Sequence, residues 1–195
     1  MTLRRFSRRF LSLYTAAGAP DTPAEQLRRL AFSRWDRIRM RVAENPNTPP
    51  DVLQHLAKDN CHDVRVAVAT NPACPLNIVQ MVAQDDDIVV RHGLAQSINV
   101  PASVLQVLAD DDNAWVRGEA IKTLEILRTW TQQELADARA QIKIDQACWS
   151  RLVGRKLGDA RELYAKKPKD NIAGANRVSK RVKRFFMPRH RFRSA

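Results

Sequence analysis

The chain has 195 residues, enough for one sizeable core or one domain with tails, and 44% of them are hydrophobic. A formal net charge of +12 and a pI near 10.3 point to a polyanionic partner or an anionic surface. Cys61, Cys74 and Cys148 show no CxxC spacing, which argues against a disulfide framework or a zinc site and suits a reducing, cytoplasmic setting, and no apolar run approaches a membrane span.

The charge is unevenly placed. Residues 1–20 carry four arginines and no acid, residues 21–126 are net −4, and residues 127–195 are net +12. The opening "MTLRRFSRRFLSLYTAAGAP" puts Leu3, Phe6, Phe10 and Leu13 on one helical face and Arg5, Arg8, Arg9 and Ser12 elsewhere. Its apolar stretch is too broken for a secretory signal. Residues 1–22 are expected to cap the open end of a repeat stack. A membrane-surface helix on anionic lipid and an amphipathic transit peptide are the other two readings.

A repeat follows. Pro23, Pro49, Pro75 and Pro101 are 26 residues apart. Behind each proline the same columns recur: Leu27, Leu53, Val79 and Leu105; Leu30, Leu56, Val82 and Leu108; Ala31, Ala57, Ala83 and Ala109. Further on come Ile38, Val64, Val90 and Val116, each followed by Arg39, Arg65, Arg91 or Arg117, and then Val42, Val68, Leu94 and Ala120. Four units fit, 23–48, 49–74, 75–100 and 101–126. Each predicts two short helices, the first opened by Thr48 as N-cap and Pro49 at the first helical position in the case of the second unit. A unit this small cannot bury its own apolar stripe, whereas stacked units can.

The words "IRMRVAENPNTPPDVLQHLAKD" and "VRVAVATNPACPLNIVQMVAQD" resemble the leucine-rich repeat variant family over residues 23–126. The resemblance implies a right-handed solenoid of alternating α and 3₁₀ helices. The fourth unit, "DDDNAWVRGEAIKTLEIL", is more similar to the second helix of a HEAT repeat. Two departures stand out. The third unit ends in Ser97-Ile98-Asn99 rather than Asn-Pro, and the cysteine cluster that holds an iron–sulfur centre in one member of the family is absent, so no redox role carries over. The expected fold is all-α: a short right-handed α-solenoid of four repeats with a helical C-terminal extension.

The Arg column (Arg39, Arg65, Arg91, Arg117) is expected to pair with the loop aspartates, as in HEAT repeats, in preference to reading phosphates. The clusters Asp85-Asp86-Asp87 and Asp110-Asp111-Asp112, with Asp59, are expected to cap helices; they lack the ligand spacing and glycine of a calcium loop. Columns that vary between units are free to serve a partner. With the second helices lining the concave face, the candidates are Met40, Arg41, Val66, Thr70, His92, Gln96, Glu119 and Lys122. This mixed, partly apolar set suits a protein or peptide better than a nucleic-acid backbone, and a plain solvated face is the competing reading.

Thr131-x-x-Glu134 is a capping box that opens a helical extension, placed at 127–168, with Leu135, Ile142, Trp149 and Leu152 as core or docking positions. Residues 169–195 form a basic tail expected to be disordered. Within it Arg177, Lys180, Arg181, Lys183, Arg184, Arg189, Arg191 and Arg193 are interleaved with Phe185, Phe186 and Phe192, with no acid among them. Basic residues contact phosphates and aromatic rings stack on unpaired bases, so RNA or DNA is the first expectation for this tail; anionic membrane and the protein's own acidic edge are the others.

No catalytic motif stands in the sequence, neither a Gly-rich phosphate loop, HExxH nor GxSxG, and no cofactor is expected. The leading expectation is a non-enzymatic, protein-binding scaffold with a polyanion-binding tail. The alternative is a nucleic-acid-binding protein acting through its basic C-terminal region. A DNA glycosylase built from HEAT-like repeats ranks below both, because residues 21–126 are net acidic.

Overall fold

The computed structural model describes residues 8–142. They form α1 (Arg8–Gly18) and then four helix pairs: α2 (Ala24–Leu30) with α3 (Asp36–Glu44), α4 (Pro50–Leu56) with α5 (His62–Ala69), α6 (Leu76–Val82) with α7 (Ile88–Ala95), and α8 (Ala102–Leu108) with α9 (Ala114–Thr129). Helical structure resumes over 132–142, and no strand occurs among the described residues.

The recurring prolines set the start of each pair. Pro23, Pro49, Pro75 and Pro101 stand at the N-cap with φ between −57° and −61°, one residue before the helix rather than inside it. Thr48 is therefore not the cap expected from its place in the sequence. It is buried, and its hydroxyl donates backwards to the Val42 carbonyl at 2.5 Å, closing the preceding helix. Thr22 does the same with the Ala16 carbonyl.

The first helix of each pair also departs from the 3₁₀ element that the family resemblance implies. It is a seven-residue α-helix, closed by α-type bonds such as Ala57 N to Leu53 O at 2.8 Å. Bonds of the i→i−3 kind are confined to its two ends, as in Val52 N to Pro49 O and Lys58 N to His55 O. The tighter geometry serves as a turn at each end and does not continue through the middle.

The stack runs through the second helices. α3 packs on α5, α5 on α7 and α7 on α9, while α1 packs on α3 at the N-terminal end. The columns seen in the sequence form its core. Leu27, Leu53 and Leu105 are completely buried, Val79 nearly so, and Ile38, Val64, Val90 and Val116 are completely buried on the second helices. Each such side chain contributes about 1.5–3 kcal/mol relative to exposure. Two further columns complete the interior: Val52, Ile78 and Val104 on the first helices, and Ala17, Ala43, Ala69 and Ala95 where neighbouring second helices approach. The face α1 turns inward is Phe10, Tyr14 and Ala17, rotated from the expected stripe so that Leu13 is only half-buried. Phe10 stacks on Tyr14 and meets the edge of Trp35.

Beyond α9 the capping box is formed: Thr131 N donates to Glu134 Oε2 at 2.8 Å and Glu134 N to Thr131 Oγ1 at 3.2 Å. Leu135 and Ala138 are buried and Ile142 is half-buried, while Trp149 and Leu152 lie outside the described residues. Arg139 donates to the Ile98 carbonyl, placing the end of the described chain beside the third pair.

Candidate partner-binding surface

Two sets of buried or half-buried polar groups join the pairs, and they decide which side chains are left for a partner. The first is the Arg column. Arg39 grips Asp59 with Nε at 2.6 Å and Nη2 at 2.9 Å, Arg65 grips Asp85 and Arg91 grips Asp111 in the same two-pronged way. Each also donates Nη1 to a carbonyl of its own pair's loop, as Arg65 does to Asp59 O. The planar guanidinium matches a carboxylate bidentately, which is why this column is Arg and not Lys. Each aspartate also accepts from the backbone two residues on, namely Cys61 N, Asp87 N and Asn113 N. These contacts hold Asp111 below the usual carboxylate range, the Arg91 hydrogen bond being the largest cause. At Asp59 burial pushes upward, but the bonds from Arg39 and Cys61 N outweigh it and the net direction is down. Arg117, last in the column, instead donates to the Asp111 and Asp112 carbonyls. These forks face loops inside the stack rather than a phosphate chain.

The second set was not among the expectations from the sequence, where Asn45-Pro46 and Asn71-Pro72 stand only as the ending of a unit. Asn45 is buried, and its Nδ2 donates to Ala17 O at 2.9 Å and Ala19 O at 2.8 Å in the preceding element. Asn71 repeats this with Ala43 O and Asn45 O. Their Oδ1 atoms accept from Asn47 N and Ala73 N. The carboxamide thus ties the end of one second helix to the next. Two acceptors and one donor at fixed offsets need both ends of an amide side chain. In this column Ser97 accepts only from Asn99 N, and Thr123 donates to Ala95 O. The signal was present as the 26-residue recurrence of Asn, but only the stacking register shows what it binds.

With these tie points in place, the match to known proteins takes on physical content. Residues 12–59 and 39–98 match the Leucine Rich Repeat Variant domain model. Together the two matches span residues 12–98, over which the chain is similar to a leucine rich repeat variant domain. The variant-repeat match starts inside α1 and ends before the fourth pair. Its limit coincides with the change of the linker from Asn-Pro to Ser97-Ile98-Asn99 and with the lengthening of the second helix from eight residues in α7 to sixteen in α9. No curated protein and no solved structure matches the chain.

The expected partner-facing residues lie on the second helices or at their C-caps, in three different columns, and are not equally available. Met40, Val66 and His92 are half-buried between neighbouring second helices. Arg41, expected at this surface, is only 5% exposed: it pairs with Glu44, and its guanidinium lies 5.5 Å from the Tyr14 ring centre, over the place where Gly18 leaves room. Burial raises the Glu44 carboxyl above its ordinary value, against the opposing pull of Arg41. Thr70 donates to the Val66 carbonyl, Gln96 lies 3.3 Å from the His92 ring nitrogen, and Lys122 pairs with Glu119 at 2.7 Å. The tail residues Arg177, Lys180, Arg181, Lys183, Arg184, Phe185, Phe186, Arg189, Arg191 and Arg193 lie outside the described residues.

The largest exposed apolar side chains stand elsewhere. Phe32, 73% exposed, stands after α2 in the first pair with its ring centre 4.6 Å from that of His55, while Met81, Ile88, Val89, Val107 and Trp115, the last 77% exposed, gather at the edge where first helices turn into second helices in the third and fourth pairs. Met81 lines an open depression with Lys58, Asn60, Asp85 and Asp86. Asp87 caps α7 through Val89 N, and Asn113 caps α9 through Trp115 N, so the loop side chains hold Val89 and Trp115 in the first turn of each helix. Neither residue was singled out from the sequence, because a lone apolar residue beside an aspartate run shows no period.

Cys61 and Cys74 are both free thiols, and burial pushes the Cys74 thiol up to about 11. Among the described residues, no three His, Cys, Asp or Glu side chains come together as metal ligands, and no helix is long and apolar enough to cross a membrane.

Proposed function

We propose that the chain is a non-enzymatic cytoplasmic scaffold whose row of second helices holds a protein segment, while the basic C-terminal segment contacts a polyanion. In this reading the four helix pairs are four units of a right-handed solenoid, and the row is its concave face. The observation that carries it is the split between constant and variable columns. The apolar, Arg–Asp and Asn positions are committed to stacking, whereas Met40, Val66 and His92 change chemistry from pair to pair on one continuous row. A surface built that way varies its recognition without disturbing its support. Arg41 is left out of this set because it is buried.

A second reading is a nucleic-acid-binding protein acting through its C-terminal region, favoured by eight Lys and Arg and no acid from Arg177 onwards. Binding of single-stranded RNA and DNA across a salt series separates the two. The full chain is compared with a variant in which Arg189, Arg191 and Arg193 are replaced by glutamine. If the tail is a polyanion anchor, the salt slope flattens in the variant, by about 0.7 for each phosphate that is no longer neutralised. Tight, salt-dependent binding that the variant retains in full overturns the assignment to the tail and moves the binding to the helical body. No binding by the full chain sinks the second reading, takes nucleic acid away as the polyanion of the first, and leaves the protein-binding scaffold.

A further inference from the structure

We propose that the acidic, apolar edge of the third and fourth helix pairs is a docking site for the chain's own basic segment, residues 177–195. This goes beyond the scaffold reading, because it concerns a different surface and an internal ligand. Three observations converge on it.

The first is the apolar content of the edge. Val89, Val107 and Trp115 are 53%, 60% and 77% exposed, and they are held in place by helix starts and ends on adjoining pairs. Arg91 touches both loops, donating to Asp85 O at 2.7 Å and to Asp111 Oδ2 at 2.7 Å, so the two loop edges lie side by side. α7 and α9 pack directly, which sets neighbouring second helices about 8–10 Å apart. Large side chains at that spacing make a patch rather than isolated apolar points.

The second is charge. From Asp85 to Arg117 the chain carries six aspartates and two arginines. Asp85 and Asp111 are taken up by Arg65 and Arg91, and Asp86, Asp110 and Asp112 are exposed. Lys58 and Arg65 are the basic side chains that line the depression beside Met81, and Arg65 is already engaged by Asp85. Residues 177–195 have the complementary character, eight Lys and Arg with Phe185, Phe186 and Phe192 between them. Aromatic rings fit the apolar positions and basic groups fit the aspartates on either side.

The third is reach. The described chain ends beside the third pair, where Arg139 bonds Ile98 O. From residue 142 to residue 177 is 35 residues, which span up to about 120 Å when extended. Tethering raises the effective concentration of the segment at this edge. The same basic groups cannot face the aspartates and a polyanion together, so docking and polyanion binding compete.

The test is photocrosslinking in the full chain at low concentration and low salt, without nucleic acid. A benzophenone amino acid replaces Ala114, and in a second sample His62, which holds the same column in the second pair; both positions are exposed. Circular dichroism checks that each sample is folded. Position 114 is expected to crosslink within the chain to peptides of 177–195, and position 62 much less. The triple substitution Asp86→Asn, Asp110→Asn and Asp112→Asn lowers the yield at 114 about tenfold, since exposed charge contacts are individually weak but add. Equal yields at both positions, crosslinks between chains only, crosslinks to other segments only, or no effect of the triple substitution each overturn the proposal. Because the measurement is made without nucleic acid, a failure to bind RNA would not count against it.

Discussion

The first two helix pairs and the last two are built on the same skeleton and differ in what they leave polar. Inside the N-terminal half, Thr22 and Thr48 donate to helix-end carbonyls, Asn45 ties the first pair to α1, and Asn71 ties the second pair to the first. Further along, the threonine column becomes Cys74 at the close of the second unit and Val100 at the close of the third, and the asparagine column becomes Ser97 and Thr123. The outer edge changes in the same direction. Arg29 and His55 are followed by Met81 and Val107, and Arg37 and Asp63 by Val89 and Trp115. One half carries asparagine joints that donate twice and a rim that is polar apart from Phe32; the other keeps a single bond from Thr123 to the Ala95 carbonyl at its joint and has a more apolar rim. A repeat stack tolerates this because each pair contacts only its neighbours, so joints can be exchanged locally.

The sharpest way to break that comparison is at the joint itself. Asn71→Ala strips partners from two carbonyls and from Ala73 N in a buried place, and a loss of about 2–3 kcal/mol is expected from urea unfolding. Ser97→Ala removes a single bond to Asn99 N and is expected to cost no more than about 0.5 kcal/mol. Equal losses would mean that the two halves are joined alike.

The Arg–Asp pairs are the part of the skeleton expected to be common to both halves. Asp59 and Asp111 both lie below the usual carboxylate range in the folded chain. A lowered folded value means stability that is present above the unfolded value, about 3.9, and lost as pH falls through the folded one. Asp59→Asn and Asp111→Asn should each be less stable than the parent by about 1–2 kcal/mol at neutral pH, and the gap should close below about pH 4. Melting temperature measured against pH checks this, and a gap that persists in acid for either variant would show that the ion pair is not its source.

The smallest effect distinguishes the interior of the stack from its far end. Alanine gains up to about 1 kcal/mol of helix propensity over glycine. At Gly118 nothing stands within 4 Å of an added Cβ, so Gly118→Ala should stabilise by about 0.5–1 kcal/mol. At Gly93 the new Cβ meets Val66 Cγ2 at 2.9 Å and Cγ1 at 3.0 Å, and Gly93→Ala should show little or no gain. Thermal unfolding of the two variants beside the parent checks this. Equal stabilisation would mean that α5 and α7 yield more easily than their packing implies.

Much of the interior was legible in the residues alone. A period of 26 residues named the buried columns at Leu53, Val64 and Val68, because stacking demands the same residue type at the same place in each unit. The Arg–Asp pairing was expected from the resemblance to HEAT repeats and from the recurrence of charge in a framework column. The surface was less legible. Arg41 stood in a variable column and was expected outside, yet Tyr14 and Gly18 of α1 give it a place to be buried. Thr48 sat where a cap belongs and turned back to Val42 instead.

By itself, then, the sequence determined the helical class, the length of the unit, the apolar columns and the split of charge between body and tail. Those follow from local periodicity and composition, which need no partner in space. Only the tertiary structure decided what Asn45 and Asn71 hold, which face α1 turns inward, and where the exposed apolar side chains gather. Each of those depends on a neighbour that lies a full unit away along the chain. A side chain's pattern in sequence says that it has a role, and the register between helices says what it touches.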